Sequence, residues 1–139
     1  MTVTWFEDNG TLRYKPDEWW PQLNSLGEYA DFSYDATDDI AVGDSIVGLT
    51  LTVAPSGPGE AVMSRLQLFQ PYLVSVWITG GVPGRTYLYA LTISTKMLRT
   101  IPIMIGQQCA AIPSVYPPPP PVNPGFGALI TWTIPASQT

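Results

Sequence analysis

The stretch YLVSVWITGGVPGRTYLYALTIST, residues 72–95, decides the fold. Its first half alternates apolar and polar residues, and one face is formed by Tyr72, Val74, Val76 and Ile78. The glycine-rich turn TGGVPGRT then reverses the chain. The second half alternates again, and one face is formed by Tyr87, Tyr89, Leu91 and Ile93. A period of two on both sides of a turn predicts two antiparallel strands, each with one buried face.

Similar short segments surround this hairpin, at intervals of about ten residues and between clusters of glycine and proline. They cover residues 29–34, 46–53, 61–69 and 98–105. In the second of them, the predicted buried face contains Val47, Leu49, Leu51 and Val53. Pro102 has no amide hydrogen for a central ladder, so its segment is predicted to be an edge strand. The pattern predicts an all-β fold, an Ig-like antiparallel β-sandwich over residues 27–107.

The regions outside this sandwich have a different character. Residues 1–26 show no sustained period and are predicted to form an extended N-terminal arm. Residues 108–125 are predicted to be an extended spacer, because consecutive prolines favour the polyproline II conformation. Residues 126–139 are predicted to be a strand and tail with an aligned face of Ala128, Ile130, Trp132 and Ile134. This strand either completes its own sandwich or pairs with the sheet edge of a neighbouring subunit.

The composition indicates a protein that makes extensive contacts. The chain has 139 residues, the size of one domain, and 45% of them are hydrophobic whereas only 12% are charged. So little charge suggests that partners cover much of the surface. All eleven acidic residues lie in residues 1–60, together with two basic residues, so this half has a net charge of −9. Residues 61–139 have a net charge of +4. This polarity favours head-to-tail stacking if the halves reach opposite ends of the fold; otherwise the signs intermix as strands pair.

The sequence offers little for catalysis. It has no histidine, which excludes Ser-His and Cys-His nucleophile pairs and imidazole metal ligands. One cluster of carboxylates could in principle form a glycosidase pair or a calcium site: Asp31, Asp35, Asp38, Asp39 and Asp44. The spacing of these residues does not match an EF-hand loop. A solvated acidic loop or helix cap is the simpler interpretation. We therefore expect no enzyme activity, no catalytic residue, no cofactor and no metal.

The sequence also lacks the features of disulfide formation, export, membrane insertion and nucleic-acid binding. The lone Cys109 cannot form an internal disulfide, and no base or cation lies beside it in the sequence, so we expect an inert thiol. The N-terminus lacks the basic and apolar regions of a signal peptide, and the apolar runs are too short to cross a bilayer. Four basic residues spread over the second half form no nucleic-acid stripe. We therefore expect assembly in a reducing cytoplasm, with no membrane and no nucleic acid among the partners.

The candidate interface residues are aromatic side chains and prolines outside the sandwich. They are Trp5, Trp19, Trp20, Pro117, Pro118, Pro119, Pro120, Pro121 and Trp132. Large aromatic side chains are enriched at protein interfaces, and a polyproline run is a stiff strut. The adjacent pair Trp19 and Trp20 is also compatible with an aromatic platform for sugar binding, although protein anchors are the commoner use.

The order of three segments resembles a known family. DFSYDATDDIAVGDSI (residues 31–46) is followed by LTLTVAP (residues 49–55) and then by the hairpin of residues 72–95. Over residues 29–106 this arrangement is similar to the small fiber-tail adaptor proteins of tailed bacteriophages. The resemblance implies a non-catalytic structural protein of the virion that attaches fibers to the tail or neck. The arm before residue 27 and the proline-rich extension after residue 107 depart from the family pattern.

These observations predict partners and leave alternatives. The expected partners are tail, neck and fiber subunits of the phage and further copies of the chain in a symmetric homo-oligomer, because long arms gain order by lying on neighbours. Assembly would take place in the cytoplasm of a bacterial host. A capsid decoration protein or a head-tail neck adaptor shares the same structural logic. A carbohydrate-binding or glycan-degrading module is the alternative from a different class.

Overall fold

The fold consists almost entirely of β-strands. The computed structural model describes residues 6–8, 11–14, 16–23, 30–69, 71–110 and 120–135. Within these ranges the strands are β1 (Phe6–Asp8), β2 (Thr11–Tyr14), β3 (Glu18–Trp19), β4 (Ala30–Asp35), β5 (Ile46–Ala54), β6 (Ala61–Phe69), β7 (Leu73–Gly80), β8 (Thr86–Thr95), β9 (Thr100–Gln108) and β10 (Gly127–Thr133). A single 3₁₀ turn, Thr37–Asp39, is the one helical element of the described ranges. No helix there is long and apolar enough to cross a membrane.

Two sheets form the sandwich. The larger sheet has the order β10-β5-β8-β9-β3, and all its pairs are antiparallel except the short parallel contact of β3 with β9. The smaller sheet has the order β4-β7-β6 and is wholly antiparallel. Strands β1 and β2 form a separate antiparallel pair. The predicted all-β sandwich is thus confirmed, while the Ig-like detail of its connectivity stays a prediction.

The prediction that residues 72–95 form a hairpin was wrong, because the two strands do not pair with each other and belong to different sheets. Strand β7 is the centre of the smaller sheet and β8 is the centre of the larger one, so the turn between them carries the chain from one layer to the other. The predicted buried faces are confirmed on both strands, with Val74, Val76, Ile78, Tyr87, Tyr89, Leu91 and Ile93 in the core. Each sheet has one apolar face, and packing the two sheets against each other removes both of these faces from water.

Two β-bulges change the predicted faces of β5 and β10. In β5 the register shifts between Ile46 and Gly48, so Ile46 is buried and Val47 is only half-buried. In β10 the register shifts between Gly127 and Ile130, and Ala128 is exposed with a φ of 53°. The expectation that Val47 and Ala128 belong to the inner faces was wrong, because a bulge inserts one extra residue and reverses the alternation before it.

The predicted N-terminal arm contains core residues. Trp20 and Leu23 are 8% and 1% exposed and belong to the main apolar cluster. The indole Nε1 of Trp20 donates a hydrogen bond to the carbonyl of Ser33 at 2.9 Å, and its ring lies 5.1 Å from the ring of Tyr89. The interpretation of residues 1–26 as an extended arm therefore does not hold for residues 16–23. The sequence did not reveal this, because two isolated apolar residues carry no periodic signal.

The C-terminal region also begins later than predicted. Strand β9 continues to Gln108, and the amide of Ala110 donates to the carbonyl of Leu23 at 2.8 Å, so residues 108–110 are part of the sandwich rather than of a spacer. Residues 111–119 lie outside the described ranges. Further on, Asn123 forms a bridge with Ser56, and β10 pairs with β5 of the same chain. Of the two alternatives for the last strand, the structure has the one in which it completes its own sandwich.

Pro102 lies where, among the described residues, only β8 pairs with β9. Its partner on β8 is Thr92, while β3 reaches the other side of β9 only at Ile105 and Gly106. The prediction that Pro102 makes its strand an edge strand was wrong for β9 as a whole, because β9 lies between β8 and β3. The far end of β9 is covered by β3, which the sequence did not reveal.

Candidate functional site

The outer face of the smaller sheet is an exposed surface centred on a tryptophan. We call it the Trp77 face, formed by Val62, Ser64, Gln67, Phe69, Leu73 and Trp77 of β6 and β7, with the buried Ser75 between Leu73 and Trp77. Trp77 is half-buried, and the guanidinium carbon of Arg65 lies 5.9 Å from its ring centroid. Asp31 of β4 is opposite Trp77 on the other side. The face therefore has an apolar and aromatic centre between an acidic and a basic edge, the arrangement of a protein interface with a polar rim.

The described residues on the outer face of the larger sheet are uncharged on β5, β8 and β10. They are threonines, serine and alanine: Thr50, Thr52, Ala90, Thr92, Ser94, Thr131 and Thr133. At one end the ring of Trp19 lies over Gly106, where an added Cβ would be 2.7 Å from the ring. Gly106 is therefore required by the close approach of an aromatic ring.

A groove runs along the side of the sandwich between β3 and β4. Its volume is about 290 Å³, and its lining combines aromatic, proline and carboxylate groups: Glu18, Trp19, Trp20, Pro21, Ser33, Tyr34 and Asp35. The hydroxyl of Tyr34 donates to Asp39 Oδ2 at 2.5 Å. Burial, this hydrogen bond and the negative charges of Asp39, Glu18 and Asp17 raise the pKa of Tyr34 well above its ordinary value. We call this the side groove; it is aromatic within and acidic at its rim.

The turn between β8 and β9 projects apolar side chains from one end of the sandwich. Leu98 is 94% exposed and Met97 is 60% exposed, and the nearby Val42 is fully exposed. Asp44 holds this turn in place: its Oδ1 accepts hydrogen bonds from the amides of Met97 at 3.0 Å and Ser45 at 2.8 Å. Burial opposes ionisation of Asp44, but hydrogen bonds from Thr95, Met97 and Ser45 and the charge of Arg99 together lower the pKa of its carboxyl group.

A buried ion pair closes the opposite end. Glu60, at the start of β6, pairs with Arg85, at the start of β8, and both are more than nine-tenths buried. The hydroxyl of Tyr87 donates to Glu60 Oε1 at 2.7 Å and accepts from the amide of Val82 at 2.8 Å. This pair joins the acidic half of the sequence to its basic half, so the two signs intermix here.

The acidic residues singled out in the sequence do not form a common site. Asp35 ends β4 and accepts a hydrogen bond from the amide of Thr37 at 2.9 Å, and its hydrogen bonds with Thr37 lower the pKa of its carboxyl group. Asp39 is bonded to Tyr34, and Asp44 clamps a turn at the end of the sandwich. In the part of the chain that the structure describes, no group of three or more metal-ligating side chains is close enough to hold a metal ion.

The predicted interface residues have different positions. Trp19 is 41% exposed and lines the side groove, whereas Trp20 is in the core and we no longer count it as an anchor. Because Trp20 is buried and only Trp19 is exposed, the two rings do not form a shared exposed platform for a sugar. Trp132 is half-buried against the core. Pro120 is exposed and Pro121 is half-buried, while Trp5, Pro117, Pro118 and Pro119 lie outside the described residues.

Sequence reasoning missed two exposed features. The first is Trp77, which alternates with Ser75 and Thr79 on the face opposite the predicted buried one, and a tryptophan in such a pattern is itself a sign of a surface that meets a partner. Leu98 carries no sequence signal for exposure, because its position depends on the turn that β8 and β9 form.

The family comparison agrees with the resemblance seen in the sequence. A family model described as "Podophage GP4 fiber-tail adaptor protein gp77" matches residues 25–101, more than half of the 139-residue chain. This family has a structural adaptor role, which implies a place in the virion and contact with tail and fiber proteins. A search of curated proteins finds no match. The matched range contains β4 to β8 and thus the whole smaller sheet. By this match the chain belongs to the podophage fiber-tail adaptor family.

Proposed function

We propose that this chain attaches fibers to the tail or neck of a podophage particle, as one of several symmetric copies in a ring, and that the Trp77 face binds one of its structural partners. The observation that carries this proposal is the aromatic outer face of the smaller sheet, which lies wholly within the family-matched range. No catalytic role is needed for an adaptor, and assembly in the cytoplasm of the host suits a chain whose one cysteine, Cys109, is buried and forms no disulfide within the chain.

The Trp77 face suits a protein partner for energetic reasons. Tryptophan and arginine are the residues that most often dominate binding energy at interfaces, and here Arg65 lies against the ring of Trp77. The exposed Phe69 and Val62 extend the apolar surface along β6. Because the face is a sheet surface rather than a flexible loop, binding it would cost little ordering of the backbone. An adaptor needs at least two partner surfaces, and the outer face of the larger sheet is available for a second.

The test uses phage particles assembled with variant adaptors. Trp77→Ala and Phe69→Ser change the Trp77 face, and Val42→Asn, at a fully exposed apolar residue outside both sheets, is the matched control. Adaptor and fiber copies per particle are counted by quantitative gel analysis and cryo-electron microscopy. Loss of fibers with the adaptor retained would assign the face to the fiber, and loss of both would assign it to the tail or neck. Normal fibers and normal adaptor content in both variants would refute the proposed role of this face.

A further inference from the structure

We propose that neighbouring copies in the ring are joined head to tail, with the β8–β9 turn of one copy seated in the side groove of the next. This inference rests on the proposed ring and adds the contact that forms it. The turn comprises residues 96–99, and the groove lies between β3 and β4, as defined above.

The turn exposes an apolar side chain to water on a strained backbone. Leu98 is 94% exposed and has a φ of 63°, in the left-handed region that bulky side chains rarely occupy. An asparagine or glycine would suit this backbone better and would not expose an aliphatic side chain to water. A strained and exposed leucine is unfavourable for the isolated subunit, and such positions cluster where proteins bind ligands or partners.

The turn is held rigidly in this conformation. The carboxylate of Asp44 accepts from the Met97 amide, and the amide of Lys96 donates to the carbonyl of Ser45 at 2.9 Å. The amide of Leu98 donates to the carbonyl of Thr95 at 3.0 Å. These bonds tie the turn to the loop before β5, so little conformational freedom would be lost when the turn is bound.

The charges of the turn and the groove are complementary. Lys96 and Arg99, which flank Met97 and Leu98, are exposed and are two of the four basic residues after residue 60. The groove has the carboxylates of Glu18 and Asp35 at its rim. The opposite charges would steer the turn towards the groove and set its orientation.

The shape and lining of the groove also fit the turn. Its volume of about 290 Å³ is larger than the cavity of about 150 Å³ that accommodates benzene, so it has room for an aliphatic side chain. Trp19, Pro21 and Tyr34 would provide apolar contacts for Leu98, with the stems of the basic residues along the wall.

The turn and the groove are too far apart to bind each other within one copy. Glu18 at the groove pairs with Ile105, which is five residues along β9 from Thr100 at the turn, or roughly 16 Å at about 3.3 Å per residue. The contact therefore joins two different surfaces of two copies. Such a heterologous contact forms a closed ring when its rotation closes.

The experiment measures self-association of the full chain by sedimentation velocity over a range of concentrations. Leu98→Asn should weaken association by roughly tenfold or more while leaving stability unchanged or higher, because asparagine tolerates the left-handed backbone. Glu18→Lys, which places a cation opposite Lys96 and Arg99, should weaken association to a similar extent. Val42→Asn is the matched control, since it removes a fully exposed apolar side chain at the same end of the sandwich but outside the turn.

A mixture of the two defective variants tests the head-to-tail geometry. The intact turn of the Glu18→Lys variant should bind the intact groove of the Leu98→Asn variant, giving a one-to-one dimer that cannot grow. A mixture that stays unassociated would overturn the head-to-tail contact. Wild-type-like association of both separate variants would overturn this contact and leave the ring, whereas a wild-type chain that is monomeric at all concentrations would overturn the ring as well.

Discussion

Replacement of Glu60 by glutamine tests whether the two layers are joined by the buried ion pair. The substitution keeps the size of the side chain but removes the negative charge that faces Arg85. It also removes a charged acceptor for the Tyr87 hydroxyl, which lies 2.7 Å from Glu60 Oε1. The guanidinium of Arg85 then remains buried without an opposite charge, because its side chain is only 8% exposed.

The expected loss of stability is large for a single substitution. Removing one partner of a buried ion pair costs about 3 to 5 kcal/mol, because the other charge stays in a poorly hydrated site. Glutamine still offers a carbonyl acceptor, so we expect the lower end, about 3 kcal/mol. The double variant Glu60→Leu with Arg85→Met should lose much less than Glu60→Gln, since replacing both charges by apolar groups is often nearly neutral.

The assay is urea unfolding followed by tryptophan fluorescence, with the free energy of unfolding obtained by linear extrapolation. Asp31→Asn is the matched control, because it removes the same charge from an exposed position and should change the free energy by less than about 0.5 kcal/mol. A loss below about 1 kcal/mol for Glu60→Gln would refute the reasoning, since it would mean that water or another group satisfies Arg85.

Three further predictions concern the closely packed and buried positions of the sandwich. Gly106→Ala should displace the Trp19 ring and lower the midpoint of thermal unfolding, since the new Cβ would be 2.7 Å from that ring. Gly48→Ala is the control and should have little effect in the same thermal scan, because the nearest atom to its new Cβ would be 3.6 Å away. Trp20→Ala should cost about 3 to 5 kcal/mol in urea unfolding because the ring is buried against the core. The pKa of Asp44 is lowered in the folded chain, so its carboxylate stabilises the fold above its ordinary pKa of 3.8, and this stabilisation is lost as the pH falls below that value. Asp44→Asn should therefore make the free energy of unfolding depend less on pH in the acidic range. An unchanged acidic pH dependence would contradict this role.

Much of the fold could be predicted from local patterns. The predicted alternation survives in β7, in β8 and, from Leu49 onward, in β5, because each of these strands lies inside a sheet and has one face against the other layer. The turn TGGVPGRT predicted the change of direction, and Gly80, Gly81 and Gly84 all have positive φ there. The family resemblance rested on the same segments, and the matched range of residues 25–101 contains them.

The candidate site could be predicted only in part. Trp19 was identified as an exposed aromatic residue, but its neighbour Trp20 was wrongly grouped with it, because single aromatic residues carry no period that reveals which side they face. The side groove could not be predicted, since it combines Glu18 and Pro21 with Tyr34 and Asp35, which are brought together by two strands of different sheets.

The sequence by itself determined an all-β sandwich, the main core faces and membership of a fiber-tail adaptor family, because alternation, turn residues and segment order are local properties of the chain. Only the tertiary structure decided that Trp20 and Leu23 complete the core, that β10 pairs with β5 of its own chain and that Glu60 pairs with Arg85. These contacts join residues distant in the chain, and their free energy depends on burial and geometry that exist only once the two sheets have packed.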